Sequence, residues 1–113
     1  MRELSWEWLA GFVDGEGSFS AITRRKVVRG RVYTYRLGEL VIGQKDPEVL
    51  YKIDEFLRRH GIRGGVYKRR SGLYVYVFQG RWSFITLAKH LMPYLRHPHR
   101  IAQLKKVVEW IEG

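Results

Sequence analysis

The sequence contains no cysteine, only three prolines, and far fewer acidic than basic residues. Without cysteine, a disulfide-stabilised scaffold and a thiolate metal site are both excluded. No apolar run approaches the roughly 20 residues that a membrane-spanning helix needs. The opening residues, MRELSWEW, contain acidic side chains and no apolar stretch, unlike a secretory signal. These absences lead us to expect a soluble intracellular protein without a membrane partner.

The length and charge of the chain narrow the class of partner. Its 113 residues predict one domain, residues 1–113, and the 45% hydrophobic content is enough for a core. The 21 Lys and Arg against 11 Asp and Glu give a net charge of +10. Such an excess attracts a polyanion, and phosphates add counterion release. A basic protein without a nucleic-acid partner is the competing interpretation, and nothing indicates a small-molecule substrate.

Hydrophobic periodicity and turn residues predict two hairpins that alternate with helices. The predicted elements are a helix at 6–14, strands at 18–25 and 32–44, a helix from Pro47, strands at 65–70 and 73–79, and helices at 82–91 and from Pro98. A basic connection at 26–31 separates the first two strands. The order indicates an α+β fold, αββαββα, with one four-stranded antiparallel sheet and helices on one face.

The other face of that sheet meets solvent or a partner. Alternation along the strands offers it a mixture of basic, aromatic and apolar side chains, which suits the reading of base edges in a DNA major groove. A solvated sheet face is an equally good interpretation of the pattern alone. The predicted DNA-binding residues are Ser20, Ile22, Arg24, Lys26, Tyr33, Tyr35, Leu37, Glu39, Val41, Lys45, Lys68 and Arg70.

The stretch WLAGFVDGEG, residues 8–17, places two acids where the first helix ends. Carboxylates are unfavourable there, because the C-terminal end of a helix carries partial negative charge. Gly11 and Gly15 are four residues apart and share one helix face, although interior glycine costs about 1 kcal/mol relative to alanine. A second copy of the same helix, crossing closely at a two-fold axis, would account for both glycines. Trp8 and Phe12 complete this predicted dimer interface.

Such a crossing brings two Glu16 side chains together, and like charges repel. A divalent cation removes the conflict, and oxygen ligands without thiols suit Mg²⁺. Acids and Mg²⁺ beside a basic sheet indicate phosphodiester chemistry. The alternative is that Asp14 and Glu16 are ordinary exposed turn residues, since Asp and Gly are common in turns.

The nine residues LAGFVDGEG, Leu9–Gly17, resemble the signature of the LAGLIDADG homing endonucleases. The similarity in element order continues through GQKD, Gly43–Asp46, and MPYL, Met92–Leu95. The resemblance implies signature helices at an interface and a saddle-shaped sheet on DNA. One signature per chain implies a homodimer. The implied activity is Mg²⁺-dependent (or Mn²⁺-dependent) double-strand cleavage of a long pseudo-palindromic DNA site.

The resemblance also assigns roles to residues at the end of the first helix and the second strand. The family's metal-binding acid falls on Glu16, and the backbone carbonyl of Gly15 helps to coordinate the metal. Gln44 matches a glutamine that orders water in the active site, and Lys45 beside it can contact phosphate. Asp14 is expected to support the local structure of the helix end.

One departure from the family pattern concerns catalysis. Pro98 stands where many relatives have a lysine that assists charge stabilisation, inside the stretch RHPHR. Arg96, His97, His99 and Arg100 are the candidates to serve in its place, because a cation near the scissile phosphate stabilises developing charge. Of these we expect His99 and Arg100 to be catalytic residues. The alternative is a catalytically weak or inactive DNA-binding regulator, or an RNA-splicing maturase, on the same fold. A zinc pair of His97 and His99 lacks further ligands in the sequence.

Overall fold

The computed structural model describes residues 4–113. Its elements are α1 (Trp6–Glu16), β1 (Gly17–Val28), β2 (Arg31–Gln44), α2 (Glu48–Arg59), β3 (Gly65–Lys68), β4 (Tyr74–Gly80), α3 (Trp82–Leu91) and α4 (Pro98–Glu112). The strands form one antiparallel sheet in the order β1-β2-β4-β3. The predicted α+β fold is confirmed. Within residues 4–113, every helix is too short or too polar to cross a bilayer.

One side of the sheet carries the core. Phe19 of β1 pairs with Leu40 of β2, which pairs with Phe78 of β4, and all three side chains are buried. Ile42 and Tyr76 continue this row beneath the helices. Because side chains alternate along a strand, the residues between these positions point to the opposite side, which we call the open face.

The helices begin and end largely where turn chemistry predicts. Ser5 caps α1 by accepting a hydrogen bond from Trp8 N at 3.0 Å. Asp46 accepts one from Glu48 N at 3.0 Å, and α2 begins there, one residue later than expected. Gly61, with φ of 76°, follows the end of α2. The first helix continues to Glu16 rather than ending at Asp14, so both acids lie in its last turn.

The first hairpin is longer than the sequence indicates. The predicted connection at residues 26–31 is wrong, because Lys26, Val27 and Val28 pair with Tyr33, Val32 and Arg31. The turn consists of two residues, Arg29 and Gly30, with φ of 51° and 77°. Positive φ at both turn residues matches the right-handed twist of the two strands and allows pairing up to the turn. The hairpin therefore extends the open face well beyond the helices.

Candidate nucleic-acid interface and acidic helix end

The C-terminal end of α1 presents two oxygen donors. The Glu16 side chain is exposed, and within the described residues its carboxylate makes no hydrogen bond or ion pair. The Phe19 amide, which would continue the helical ladder to the Gly15 carbonyl, donates instead to Gln103 Oε1 at 3.3 Å. The carboxylate of Glu16 and the carbonyl of Gly15 are thus both available to a cation at the negative end of the helix dipole.

Asp14 has a different role from Glu16. Its Oδ2 accepts a hydrogen bond from Arg96 N at 2.9 Å, and its Oδ1 accepts one from His97 N at 3.1 Å. The carboxylate therefore holds the segment between α3 and α4 against the end of α1. The prediction that Asp14 supports local structure is confirmed.

Arg100 provides the positive charge that the end of α1 lacks in its own sequence. Its Nε donates to Val13 O at 3.3 Å, so the guanidinium lies at the carbonyl end of the helix. A cation there stabilises the helix dipole and offsets the nearby acids. Arg100 Nη1 also donates to Gln103 Oε1 at 3.2 Å, and the Gln103 Nε2 and His99 Nε2 atoms are 3.3 Å apart.

Gln103 is a site residue that the sequence analysis missed. It joins Arg100, His99 and the backbone of Phe19 in one hydrogen-bonded cluster. The available signal was its spacing of three and four residues from Arg100 and His99, which places the three side chains on one helix face. The partner in β1, 84 residues away along the chain, gave no sequence signal.

Pro98 is the first residue of α4, a position that suits proline because its missing N–H has no helical partner. His97 caps the same helix, its Nδ1 accepting from His99 N at 3.2 Å. The residues RHPHR thus start a helix beside the end of α1. Among residues 4–113, no three His, Asp or Glu side chains lie close enough to hold a metal ion.

Gln44 and Lys45 lie at the same end of the sheet as Glu16. Gly17, directly after Glu16, pairs with Ile42, so Gln44 lies two residues past that pair. Gln44 also pairs with Tyr74 and lines a shallow concavity with Asp46. The register therefore places Gln44 and Glu16 at one end of the sheet, and Arg100 contacts the backbone of α1 three residues before Glu16.

The open face holds most of the predicted DNA-binding residues. Cross-strand neighbours there are Ser20 with Glu39, Ile22 with Leu37, Arg24 with Tyr35, and Lys26 with Tyr33, and Val41 lies beside Ser18. These side chains share one side because paired residues of antiparallel strands point the same way. The predicted grouping of β1 and β2 residues is confirmed, while contact with DNA stays a prediction.

The placement of Lys68 and Arg70 on this face is wrong. Lys68 lies two residues after Val66, which packs against the core, so both belong to the helix side of β3. The Lys68 ammonium lies 5.7 Å from the centre of the Tyr74 ring. Arg70 falls in the turn after β3 ends. Tyr67, 59% exposed, occupies the open face in their place.

The exposed side of α1 is an apolar stripe of Trp8, Gly11, Phe12 and Gly15. Leu9, Ala10 and Val13 on the other side are buried in the core. The rings of Trp8 and Phe12 stack with centres 5.1 Å apart. A Cβ added to Gly11 or Gly15 would meet no atom of residues 4–113 within 4 Å. Packing within this part of the chain therefore does not require either glycine.

Comparison with known proteins agrees with this geometry. A family model described as LAGLIDADG endonuclease matches residues 9–111. The intron-encoded RNA maturase bI4 of Saccharomyces cerevisiae is 33% identical over 104 residues, which cover 89% of this chain and 14% of the maturase. The chain thus spans only a small part of that relative.

Solved homing endonucleases share the fold. I-CvuI, solved with a DNA target in 2 mM Mg with the DNA uncleaved, is 29% identical with a TM-score of 0.74; the match covers 95% of this chain and 65% of that one. The archaeal intron-encoded I-Vdi141I, solved with DNA, is 26% identical with a TM-score of 0.63. That match covers 92% of this chain and 66% of I-Vdi141I. With the family model matching nearly the whole sequence, the chain belongs to the LAGLIDADG endonuclease family.

Proposed function

We propose that this chain is a homing endonuclease that cuts both strands of a pseudo-palindromic DNA site as a homodimer, with a divalent cation. The observation that carries the proposal is the unpaired Glu16 carboxylate at the end of α1, beside the apolar stripe. Each subunit supplies one Glu16 and reads one half-site with its open face. The net charge of +10 favours approach to DNA.

The dimer is supported by the two glycines of the stripe. Each interior glycine costs a helix about 1 kcal/mol, and nothing among residues 4–113 occupies the space that a Cβ would fill. A second α1 crossing at Gly11 and Gly15 would use that space. Trp8, 37% exposed, would be covered by the same contact. A two-fold axis through the crossing would place the two Glu16 side chains near each other.

The residues fit a hard divalent cation such as Mg²⁺. Glu16 and the Gly15 carbonyl provide oxygen donors, which this ion prefers. Residues 4–113 of one subunit contain no cluster of three metal ligands. We therefore assign the remaining ligands to the second copy and to DNA phosphates. The ion, when bound, supplies a Lewis acid and lowers the pKa of water. Mn²⁺ is the alternative ion. I-CvuI, which is 30% identical to this chain, was also solved with its target in 2 mM Ca.

The other residues of this region have supporting roles in the proposal. Gln44 orients water near Glu16, and Lys45 contacts the DNA backbone. Arg100, hydrogen-bonded to Val13 O and Gln103, keeps a positive charge at the base of the site in place of the lysine replaced by Pro98. A fixed cation close to the reacting phosphate stabilises charge that develops during cleavage. His99 is the candidate for proton transfer.

The test is cleavage of a DNA site selected from a random library in Mg²⁺. Glu16→Gln removes the carboxylate charge while preserving shape, and we expect cleavage to fall by at least about a hundredfold with DNA binding retained. Glu112→Gln is the charge-matched control, because it lies at the far end of α4 and should cut normally. Unchanged cleavage by Glu16→Gln would refute the assignment.

A splicing cofactor is the second candidate function. It is favoured by the similarity to an RNA maturase and by Pro98 at the family's lysine position. In this case the wild-type chain would bind intron RNA and increase its splicing rate, without cutting any DNA selected from the library. Assaying both reactions with the same preparation separates the two functions.

A further inference from the structure

We propose that Arg24, Gln79 and Glu39 form a preassembled reader of one G·C base pair, an inference that rests on the proposed function. Gln79 of β4 is the cross-strand neighbour of Glu39 of β2, and its Nε2 donates to Glu39 Oε2 at 2.6 Å. Arg24 of β1 donates from Nη2 to Gln79 Oε1. The glutamine amide thus links three strands across the open face.

The position of Glu39 favours base edges over phosphates at this point of the face. Strands β2 and β4 are the inner strands of the sheet, so Glu39 and Gln79 lie near its middle. A carboxylate repels phosphate oxygens but accepts hydrogen bonds from the cytosine N4 amino group. Arg24 and Lys26 on the same face are basic, and an acid among them is unfavourable for binding the phosphate backbone alone.

Arg24 remains able to read a guanine while it is held by Gln79. A guanidinium has five N–H donors, and the contact with Gln79 uses one nitrogen. Arginine pairs with guanine O6 and N7 through two donors, and holding the side chain in advance reduces the entropy lost on binding. Arg24 and Gln79 also border a concavity on the open face with Arg63 and Tyr67.

The two contacts belong to one base pair. Guanine O6 and the cytosine N4 amino group are adjacent in the major groove, and the guanidinium and carboxylate bridged by Gln79 present the complementary donor and acceptor. Gln79 acts here as a positioning residue, since it acts through Arg24 and Glu39. A homodimer would carry the preference at two symmetry-related positions of its site.

The test is selection of bound duplexes from a random DNA library, with a chelator present so that no strand is cut. The wild-type chain should show a G·C preference at one position of each half-site. Arg24→Lys keeps the charge but not the planar pair of donors. It should reduce that preference by about tenfold, with little change in the affinity for sequences that lack the G·C pair. Gln79→Leu and Glu39→Gln should weaken the preference at the same position only.

Arg25→Lys is the matched control, because Arg25 follows Arg24 directly and points to the other side of the sheet. It should leave every preference unchanged. The inference is overturned if Arg24→Lys keeps the wild-type preferences, or if it weakens all sequences equally, as the loss of a phosphate contact would. If the wild-type chain shows no sequence preference at all, then the open face does not read DNA sequence. Loss of cleavage with binding preferences intact contradicts only the proposed reaction.

Discussion

Tyr76 shows how one buried polar atom can affect stability. Its side chain is fully buried, and its hydroxyl has no hydrogen-bond partner of normal geometry among the described residues. Burial raises the pKa of the Tyr76 hydroxyl above its ordinary value, and the Asp54 carboxylate adds to the rise. Asp54 itself is bonded through Oδ2 to Arg58 Nε at 3.0 Å. The folded chain therefore holds the Tyr76 proton more tightly than the unfolded chain.

The consequence is a loss of stability in alkali. Below about pH 10 the tyrosine is neutral in both states; above it the unfolded chain releases the proton and the folded chain does not. The free energy of unfolding should then fall by up to about 1.4 kcal/mol per pH unit from this group. Tyr76→Phe should remove that slope at little cost near neutral pH. Urea unfolding of both chains between pH 8 and 11 measures the difference, and parallel curves would contradict it.

At the residue scale, sequence reasoning found the residues with a local signal. Glu16 and Asp14 could be identified because acidic residues at the C-terminal end of a helix are unfavourable next to the helix dipole. Gln103 and Gln79 were not, because their partners Phe19 and Arg24 are distant along the chain and become neighbours only in the folded sheet. Lys68 shares the helix side of β3 with Val66, and a strand of four residues does not show from its sequence which of its faces meets the core.

Among the elements, α1 depends on a contact outside its own sequence. It ends in two acids, and its last turn contains no basic residue. Two compensating contacts come from the segment around the start of α4, one through Asp14 and one through Arg100. The end of α1 and the start of α4 are thus fixed to each other, and with them the position of Glu16.

Removing the Asp14 carboxylate should loosen this junction. Asp14→Ala leaves two backbone N–H groups without their acceptor, and we expect the free energy of unfolding to fall by about 1–3 kcal/mol. Asp14→Asn retains one acceptor oxygen and should lose less. Guanidinium unfolding of the three chains measures the series. Equal stability of Asp14→Ala and wild type would show that the contacts to Arg96 and His97 do not hold the junction.

The ends of helices and strands were predicted well where the local sequence signal was strong. Ser5, Asp46 and Gly61 marked helix ends through capping chemistry, and the helices agree with them within two residues. The end of the first hairpin was missed, because a run rich in Lys and Arg is typical of a loop. Its strand structure comes from pairing with β2. The sequence of one strand alone does not show this pairing.

For the molecule as a whole, the apolar stripe on α1 is a surface that the single chain leaves exposed. Gly11→Ala places a methyl group where the chain itself has space. We expect the isolated subunit to gain up to about 1 kcal/mol of stability, because alanine favours the helix. The same methyl group would separate two crossing helices and weaken the dimer.

These opposite effects distinguish an interface from a bare surface. Sedimentation equilibrium measures association, and denaturant unfolding at low concentration measures the subunit. Glu112→Ala, at the far end of α4 and away from the stripe, is the control and should leave association unchanged. A Gly11→Ala chain that associates as strongly as wild type would contradict the proposed crossing.

The pairing of two Glu16 carboxylates is tested most directly by mixing subunits. Wild-type and Glu16→Gln chains are combined at constant total concentration, left to exchange, and given a supercoiled plasmid that carries the selected site. If both copies are needed, linear product should fall as the square of the wild-type fraction, with nicked circles from mixed dimers. At equal amounts, about a quarter of the wild-type linear product should remain. A fall in simple proportion to the wild-type fraction would show that one chain cuts alone, and would contradict the account.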